Sequence, residues 1–475
     1  MDKSNIGLIG LGVMGQNLVL NMADKGWTVS VWNRQEPGES ESVASRFVRE
    51  RGHGKPIIAC EELDDFVDTL QRPRVVMLMV TASAVGEVIE KVIPYLDEDD
   101  IIIDGGNSNF EDTERRVNDL YNRGFYFIGA GVSGGEEGAL HGASIMPGGA
   151  EEAWPVVKPI LQSIAAKAED GTPCCEWIGK GGAGHYVKMV HNGIEYAEMQ
   201  LIAEVYSLMK RVGNLNNEEM GLIFTRWNET DLHSFLIEIT GKILRHRDVT
   251  GAYVVDKILD VANQKGTGRW SVQNALDLNE PLDLIAEAVF ARDLSEKKKL
   301  RETLSRVYCR EDSLTLYQRD ELLQPLHDTL GVSRIISYAQ GFSLLKKAST
   351  VYHWELNLAS VALIWRNGCI LRSELLNPIA EAFLENHQLE NLLASPFFSK
   401  KVKIALPSWK KMVALAVREE IPVPAISSAL HYFYSITAAH LPANLIQAQR
   451  DFFGAHTFER VDQPRGSFFH ELWRS

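Results

Sequence analysis

The chain alternates short β-rich runs with runs of helical period from residue 5 to about residue 182, and this alternation constrains its fold more than any other feature. Such alternation is typical of a mostly parallel sheet that is doubly wound, with helices on both faces. Beyond residue 184 the strand patterns fade, and helical period continues to about residue 440. We therefore predict an α/β N-terminal domain followed by a large all-α domain. The strand candidates are NIGLIG, WTVSVWN, RVVMLMV, DIIIDGG and FYFIGAGVS.

The length of 475 residues exceeds that of one ordinary hydrophobic core, so more than one domain is expected. We predict an α/β domain over residues 1–182, a helical domain over 183–438 and a C-terminal tail over 439–475. The helical domain begins with a run of helical period from residue 183 to residue 212. At ~1.5 Å per residue this run would form a helix of ~45 Å, long enough to serve as the central element of its domain.

The C-terminal tail has little helical period but is rich in aromatic residues. Disordered tails are normally poor in aromatics, so this one is expected to be packed against something. Two interpretations are open: the tail packs on its own chain, or it is an arm that is buried against a partner chain. The aromatic residues are Phe452, Phe453, Phe458, Phe468, Phe469 and Trp473.

Charge and cysteine content exclude several classes of protein. The formal net charge of -14 argues against nucleic-acid binding and against binding to anionic membranes, both of which need a surplus of basic residues. An anionic substrate would therefore have to meet a local basic cluster. The five cysteines form no CxxC pair, which predicts neither a disulfide framework nor a zinc site and fits the reducing cytoplasm. No uncharged apolar span of ~20 residues is present, so we predict no membrane span.

A glycine-rich loop directly follows the first strand candidate and opens a helix candidate. Its residues Gly10, Gly12 and Gly15 allow a tight turn and close approach of a pyrophosphate to the helix N-terminus. Together with Val13 and Met14, they predict a dinucleotide site in a Rossmann-type domain. The same spacing recurs in GKGGAG, from residue 179 to residue 184, where we interpret it as a flexible entry to the next helix.

The end of the second strand candidate predicts which dinucleotide is bound. In sites for NAD, an acidic residue at this point binds the ribose hydroxyls, whereas this chain has Asn33 and Arg34. An arginine can bind a 2′-phosphate with its guanidinium fork, and the absent carboxylate removes repulsion. We therefore expect NADP rather than NAD, the alternative being a surface arginine in a turn.

The helical run that begins near residue 183 carries an unusual set of polar residues. At 100° per residue they fall within an arc of about 140° on one face. The alternative is a solvated helix face, but such faces consist mostly of Glu, Lys and Arg. An amine and a carboxyl two turns apart can act as base and acid on one small molecule. The residues are Lys188, His191, Asn192, Glu195 and Tyr196.

Glycine-rich segments after two strand candidates could complete such a site. IDGGNS and GVSGGEEGA both follow apolar strands, and ligands of α/β proteins bind at the carboxyl edge of the sheet. Asn107, Ser133, Gly134 and Gly135 would offer amide, hydroxyl and backbone donors to a carboxylate. Two further segments, QKGTGRW and FARDLS, add the basic residues Lys265 and Arg292.

These motifs together resemble those of the 6-phosphogluconate dehydrogenase family over essentially the whole chain. The wider β-hydroxyacid dehydrogenase group shares only the first glycine loop, the serine-glycine loop formed by Ser133, Gly134 and Gly135, and Lys188. The resemblance implies NADP-dependent oxidative decarboxylation of 6-phospho-D-gluconate to D-ribulose 5-phosphate and CO2, without a metal. The motifs that carry it are DGGNS, GVSGGEEGA, KMVHNGIEY, NQKGTGRW, FARDLS and AQRDFFGAHTFER.

The resemblance also implies a role for each candidate residue. Lys188 matches the general base and acid of the family, and Glu195 matches its second acid. In that family the tail enters the neighbouring subunit, so a homodimer with tail exchange is implied. Positions for the sugar acid are Asn107, which is also assigned to the cofactor, Ser133, Gly134, Gly135, His191 and Asn192; positions for its phosphate are Tyr196, Lys265 and Arg292; positions contributed by the tail are Arg450 and His456.

The chain departs from the family at the nucleotide. QEPGES follows Arg34 where the family often has a threonine and a lysine, and Thr81 stands where a lysine is common. Both changes remove positive charge, so we expect a weaker preference for NADP, carried mostly by Arg34.

Two other functions are compatible with parts of the pattern. A dehydrogenase of a non-phosphorylated hydroxy acid would not need Lys265, Arg292 and Arg450 together. A non-catalytic NADP-binding or scaffold protein would not need both Lys188 and Glu195.

Overall fold

The computed structural model of the chain describes residues 3–35, 38, 40–264, 266–308 and 316–473. Its main sheet has eight strands in the order β3-β2-β1-β4-β5-β6-β7-β8. The strands are β1 Ile6–Ile9, β2 Val29–Trp32, β3 Ile57–Ala59, β4 Val75–Leu78, β5 Ile101–Asp104, β6 Tyr126–Val132, β7 Ile145–Gly149 and β8 Gly179–Lys180.

The sheet is parallel throughout except where β7 runs antiparallel to β6, with Ile128 opposite Gly149 and Val132 opposite Ile145. The predicted doubly wound, mostly parallel sheet is therefore confirmed. Three strands were not among the candidates. β3 and β8 are very short, and β7 contains proline and two glycines, which weaken the sequence signal for a strand.

Helices cover both faces of the sheet. Apolar residues of α1, α2, α6 and α7 form one core against it, and those of α3, α4 and α5 form a second core on the other face. The helices are α1 Val13–Asp24, α2 Val43–Glu50, α3 Leu63–Asp68, α4 Val85–Val92, α5 Phe110–Tyr121, α6 Gly135–His141 and α7 Trp154–Ile164.

The described residues after β8 are mainly helical, as predicted for the part before the tail, and two short strands lie near the C-terminus. The helices are α8 Ala183–Arg211, α9 Asn217–Trp227, α10 Phe235–Arg245, α11 Thr267–Asp277, α12 Asp283–Ser295, α13 Lys298–Val307, α14 Arg319–Val351, α15 Leu358–Ile364, α16 Leu376–Glu385, α17 Pro396–Arg418, α18 Pro424–Ile436 and α19 Ala443–Gly454; the strands are β9 Phe458–Glu459 and β10 Phe468–Phe469.

The helix α8 links the sheet to the helical domain. It contacts β6, β7 and α5 near its start, and α11, α12 and α14 along its length. Because neighbours surround it, even several of its polar side chains are buried. A residue on the first turns of α8 can therefore face the sheet edge and the helical domain at once.

Two local segments are more regular than their sequence pattern indicated. The GKGGAG segment leads into α8 as expected, but it contains β8 and its backbone packs closely: a Cβ on Gly184 would lie 2.3 Å from the Gly129 carbonyl oxygen. The tail, whose sequence has little helical period, forms α19 in its first part, and β9 pairs antiparallel with β10 in its second. Among the described residues, no helix is long and apolar enough to span a bilayer.

Candidate active site

The loop between β1 and α1 contains three glycines and leaves the N-terminus of α1 accessible. Gly10 has a φ of +103°, which glycine adopts without strain. A Cβ on Gly15 would lie 2.0 Å from the Gly10 carbonyl oxygen, so α1 packs directly on the loop. A Cβ on Gly12 would meet nothing within 4 Å, and Val13 and Met14 begin α1 without being buried. The positive end of α1 is therefore accessible to a pyrophosphate.

The end of β2 is joined to this loop by a side chain. Oδ1 of Asn33 accepts a hydrogen bond from the backbone N–H of Leu11 at 2.9 Å. Arg34 follows, exposed, and lines a cavity of about 330 Å³ together with Asn33 and Thr81. The cavity continues from the glycine loop, where the adenosine end of a dinucleotide is bound in such folds.

The same cavity contains two charged residues that no motif marked. Glu87 and Lys91 extend into its lining from α4, four residues apart. A Glu–Lys pair at this spacing on a helix normally indicates only a solvated surface. Its place beside a ligand cavity became apparent only from the fold.

Lys188 lies on the second turn of α8, where the helix crosses β6. Its side chain is buried, and Nζ donates to Oγ of Ser133 at 3.2 Å and to Oδ1 of Asn192 at 2.8 Å. The close crossing depends on Gly131 of β6, because a Cβ there would lie 2.4 Å from Cβ of Lys188. The amine is thus fixed between the serine-glycine loop and the next turn of its own helix.

Glu195 follows on the same face of α8. Its carboxylate oxygen Oε2 lies 3.8 Å from Nδ1 of His191, and its side chain is 20% exposed. Burial raises the pKa of this carboxyl, while Lys188 and Arg292 oppose the rise. The protonated form is therefore favoured beyond the usual pH range of a glutamate.

Burial has the opposite effect on the amine. It lowers the pKa of Lys188, while Glu195 and the Cys369 thiol oppose the fall. The environment thus favours a neutral amine and a protonated carboxyl on one helix face. Opposed pKa shifts of this kind are typical of an acid–base pair in an active site.

His191 and Asn192 connect the lysine to its surroundings. Nε2 of His191 lies 3.4 Å from Oγ of Ser133, and the ring packs edge-on against Trp365 with centroids 5.3 Å apart. Burial, and then the charge of Lys188, lower the pKa of His191 well below its usual value, so the ring stays neutral. Nδ2 of Asn192 donates to Oγ1 of Thr267 at 2.9 Å. Thr267 belongs to the QKGTGRW segment, although the sequence did not predict it as a site residue.

Tyr196 and Arg292 meet at the far end of this group. The Arg292 guanidinium lies 3.5 Å from the centroid of the Tyr196 ring, and its Nη1 donates to the carbonyl oxygen of Asn263 at 3.3 Å. The tyrosine ring is closely packed, since a Cβ on Gly268 would lie 2.6 Å from it. The pair therefore places a half-buried cation on a fixed aromatic surface. Lys265 lies outside the described residues.

The loop after β5 is held by its own aspartate. The Asp104 carboxylate accepts from the N–H of Gly106 at 3.0 Å and from Oγ of Ser108 at 2.6 Å. Asn107, between them, is exposed. Its position at the carboxyl edge of the sheet is the one expected from the sequence.

The loop after β6 owes its shape to two glycines. Gly134 and Gly135 have φ values of +97° and +61°, and a Cβ on Gly134 would lie 2.4 Å from the Gly368 carbonyl oxygen. Ser133, before them, is buried beside the lysine. No other residue type could follow this path without strain.

The tail residues are not brought to this group by their own chain. Arg450 and His456 are exposed. Nη1 of Arg450 donates to Oε1 of Gln447 at 3.0 Å, and the His456 ring packs on Phe453 with centroids 6.0 Å apart. The tail is instead organised around the buried Asp451. It leaves large apolar side chains exposed, including Leu445, Phe453, Phe468 and Leu472.

The fold and the site together define the class of nicotinamide-dependent hydroxyacid dehydrogenases. A doubly wound domain presents an accessible glycine loop, and at the sheet edge it meets the buried Lys188 and the partly buried Glu195. Residues 5–179 match the family model described as the NAD binding domain of 6-phosphogluconate dehydrogenase, and residues 184–473 match the C-terminal domain of 6-phosphogluconate dehydrogenase. The chain belongs to the 6-phosphogluconate dehydrogenase family.

Individual relatives are similar over their whole length. The chain is 52% identical to the decarboxylating 6-phosphogluconate dehydrogenase of Treponema pallidum, covering 99% of this chain and 97% of that protein. It is 51% identical to decarboxylating 6-phosphogluconate dehydrogenase 1 of Saccharomyces cerevisiae, covering 96% and 93%. Plasmodium falciparum 6-phosphogluconate dehydrogenase, solved in apo form, with its cofactor NADP+ and with its substrate 6-phosphogluconate, is similar with a TM-score of 0.94 at 41% identity, covering 98% of this chain and 100% of that one.

Proposed function

We propose that this protein catalyses the NADP-dependent oxidative decarboxylation of 6-phospho-D-gluconate to D-ribulose 5-phosphate and CO2, without a metal. The observation that carries the proposal is the buried Lys188 amine, held between Ser133 and Asn192, with the Glu195 carboxyl on the same helix face. The activity of the full-length relatives supports the same substrate.

In the first step, neutral Lys188 accepts the proton of the substrate C3 hydroxyl as that carbon is oxidised. Burial of the amine favours the neutral form that a base requires. The oxidised intermediate is a β-keto acid, which loses its carboxylate as CO2 because the ketone accepts the electron pair as an enediol. Lys188, now an ammonium, donates to the ketone oxygen and stabilises the negative charge that develops there.

Glu195 acts in the last step. Its carboxyl, whose pKa is raised by burial so that the protonated form is favoured, delivers a proton to C1 of the enediol. Lys188, neutral again after protonating the enediolate oxygen, accepts the proton of the enediol hydroxyl as the C2 ketone forms, and this proton then replaces the one that Glu195 gave up. The two side chains thus exchange protons with the substrate without needing water as an acid or base.

Substrate recognition is assigned to the surrounding loops. The carboxylate and hydroxyls would be bound by Asn107, Ser133, Gly134, Gly135, His191 and Asn192. The phosphate would be bound by Tyr196, Lys265 and Arg292, and the half-buried guanidinium on the tyrosine ring fits a dianionic group.

The nucleotide would be bound by the glycine loop. The open surface at Gly12 and the positive φ of Gly10 fit a pyrophosphate, and Asn33 and Arg34 fit the adenosine ribose with its 2′-phosphate. When bound, NADP+ supplies the acceptor for the hydride.

The test is reduced-nicotinamide absorbance with chelator-treated protein and 6-phosphogluconate, NADP+ and NAD+ being compared. We expect reduction of NADP+ with equal release of CO2. Lys188→Met should abolish turnover while NADP+ still binds. Turnover at the wild-type rate in this variant would refute the assignment. Reduction only with non-phosphorylated hydroxy acids would favour the alternative dehydrogenase, and cofactor binding without any turnover would favour a scaffold.

We also propose a homodimer in which the tail, residues 439–475, enters the second copy and supplies Arg450 and His456 to its site. Support comes from the exposed apolar side chains of the tail and from the exposure of both residues. The domain boundaries at residues 182 and 438 belong to this proposal, since β8 ends at Lys180, α8 begins at Ala183 and α18 ends at Ile436.

Subunit mixing tests the exchange. Lys188→Met and Arg450→Ala homodimers should each be nearly inactive. A heterodimer of the two would contain one site with an intact lysine and an intact arginine, so co-refolded or co-expressed mixtures should regain partial activity. Mixtures that stay as inactive as the separate variants would contradict exchange of the tail.

A further inference from the structure

The cavity beside the glycine loop, called the nucleotide cavity below, is lined by an ion pair as well as by Asn33 and Arg34 at the end of β2. Glu87 and Lys91 both line it from α4, with Nζ of Lys91 2.6 Å from Oε1 of Glu87. Arg34 lines the same cavity, and its charge acts on Glu87. These three side chains are the charges that this cavity offers among its described lining residues.

Glu87 is the unusual member of this group. Enzymes that use NAD place a carboxylate near the adenosine ribose, where it accepts hydrogen bonds from the 2′-hydroxyl and repels a 2′-phosphate. Here the end of β2 has Asn33 instead, yet α4 supplies a carboxylate to the same cavity. The hydrogen bond from Lys91, and the charges of Lys91 and Arg34, lower the pKa of Glu87, so it is ionised at neutral pH.

We propose that the Glu87–Lys91 pair determines how strongly this protein prefers NADP over NAD. Lys91 neutralises Glu87 and leaves the cavity with a net positive charge from these three side chains, which favours the 2′-phosphate. Glu87 limits that preference, because its carboxylate competes with the phosphate for Arg34 and can accept from a free 2′-hydroxyl. The inference rests on the proposed function and specifies its cofactor selectivity.

Charge-neutralising variants test the pair directly. Binding of NADP+ and of NAD+ to the full-length protein is titrated without substrate, and the ratio of the two affinities is compared. Lys91→Gln should lower the NADP+ preference roughly three- to tenfold, and Glu87→Gln should raise it by a similar factor. The double variant restores the net charge of the wild type and should return close to its ratio.

A matched pair elsewhere provides the control. Glu238 and Lys242 have the same spacing and the same 2.6 Å separation on α10, outside the cavity. Lys242→Gln should leave the ratio unchanged. The inference is overturned if Lys91→Gln and Glu87→Gln change both affinities equally or change neither.

The outcomes separate the inference from the proposed function. Wild-type protein that oxidises 6-phosphogluconate, with a ratio that the variants do not move, would overturn only the role of the pair. Wild-type protein that binds NADP+ but does not turn over 6-phosphogluconate would overturn the proposed reaction and leave the binding ratio as a valid test. Raising the salt concentration should reduce every difference, because the effect is electrostatic.

Discussion

Gly131 offers a direct test of how the position of the lysine depends on the sheet. Replacing it with alanine places a methyl group 2.4 Å from Cβ and 2.9 Å from Cγ of Lys188. Carbon atoms in ordinary contact are about 3.5–4.0 Å apart, so a displacement of about 1 Å is required. Rotation of the lysine side chain cannot relieve a contact with its own Cβ. The first turns of α8 must therefore move away from β6.

The expected effects on stability and on activity differ. Overpacking of this kind typically destabilises a protein by about 1–3 kcal/mol. A misplacement of about 1 Å in a catalytic group can reduce the rate about 100-fold. Gly131→Ala should therefore reduce kcat by about two orders of magnitude, while the affinity for NADP+ stays within about twofold, since the glycine loop lies on another strand.

Gly129→Ala is the matched control on the same strand and the same face. Its Cβ would lie 2.5 Å from Cγ2 of Thr113 and 2.8 Å from Nδ1 of His185, so the overpacking is similar but falls on side-chain ends away from the lysine. Neither glycine has a positive φ, and alanine is therefore conformationally allowed at both. Denaturant unfolding and steady-state kinetics would be measured for both variants. Equal losses of kcat at equal losses of stability would refute the reasoning.

Three further predictions follow from the site and the helical core. The rate should decline at low pH as Lys188 becomes protonated and at high pH as Glu195 ionises. Glu195→Gln should leave a residual rate that no longer declines at high pH, and an unchanged pH profile would exclude the Glu195 carboxyl as the catalytic acid. Arg292→Ala should raise KM for 6-phosphogluconate about 10- to 100-fold but change KM for gluconate little, because a charged hydrogen bond to phosphate is lost; equal increases for both would contradict the assignment. Burial raises the pKa of Glu204 from 4.5 to about 7, so the folded state retains this proton to higher pH than the unfolded state and loses stability as pH rises through that interval. Glu204→Gln should therefore gain about 3 kcal/mol relative to wild type between about pH 4.5 and about pH 8, measured as the difference in free energy of unfolding, and a constant difference would show that the carboxyl does not titrate there.

Local pattern was enough to predict the fold class. Strand and helix differ in period, and the alternation of the two periods requires a covered parallel sheet, whatever the details of packing. The same reasoning missed β7, because Pro147, Gly148 and Gly149 are poor strand formers. They lie in the sheet because β7 pairs with β6. It missed α19 because its apolar side chains do not form a buried stripe within their own chain: the buried residue of this helix is Asp451.

The sequence by itself determined which polar residues share one helix face. Helical period alone places Lys188, His191, Asn192 and Glu195 together, and it requires no knowledge of what they face. It likewise determined that a glycine loop opens α1, because few other residues permit that turn.

Only the tertiary structure decided what these groups do to one another. Burial of Lys188 and Glu195, and hence the direction of both pKa shifts, depends on β6 and α12, which are distant in the chain. The fold also brings other residues from distant parts of the chain together. It places Thr267 beside Asn192, and it places the Glu87–Lys91 pair in the same cavity as Arg34. Desolvation and charge depend on distance in space, and the sequence records only distance along the chain.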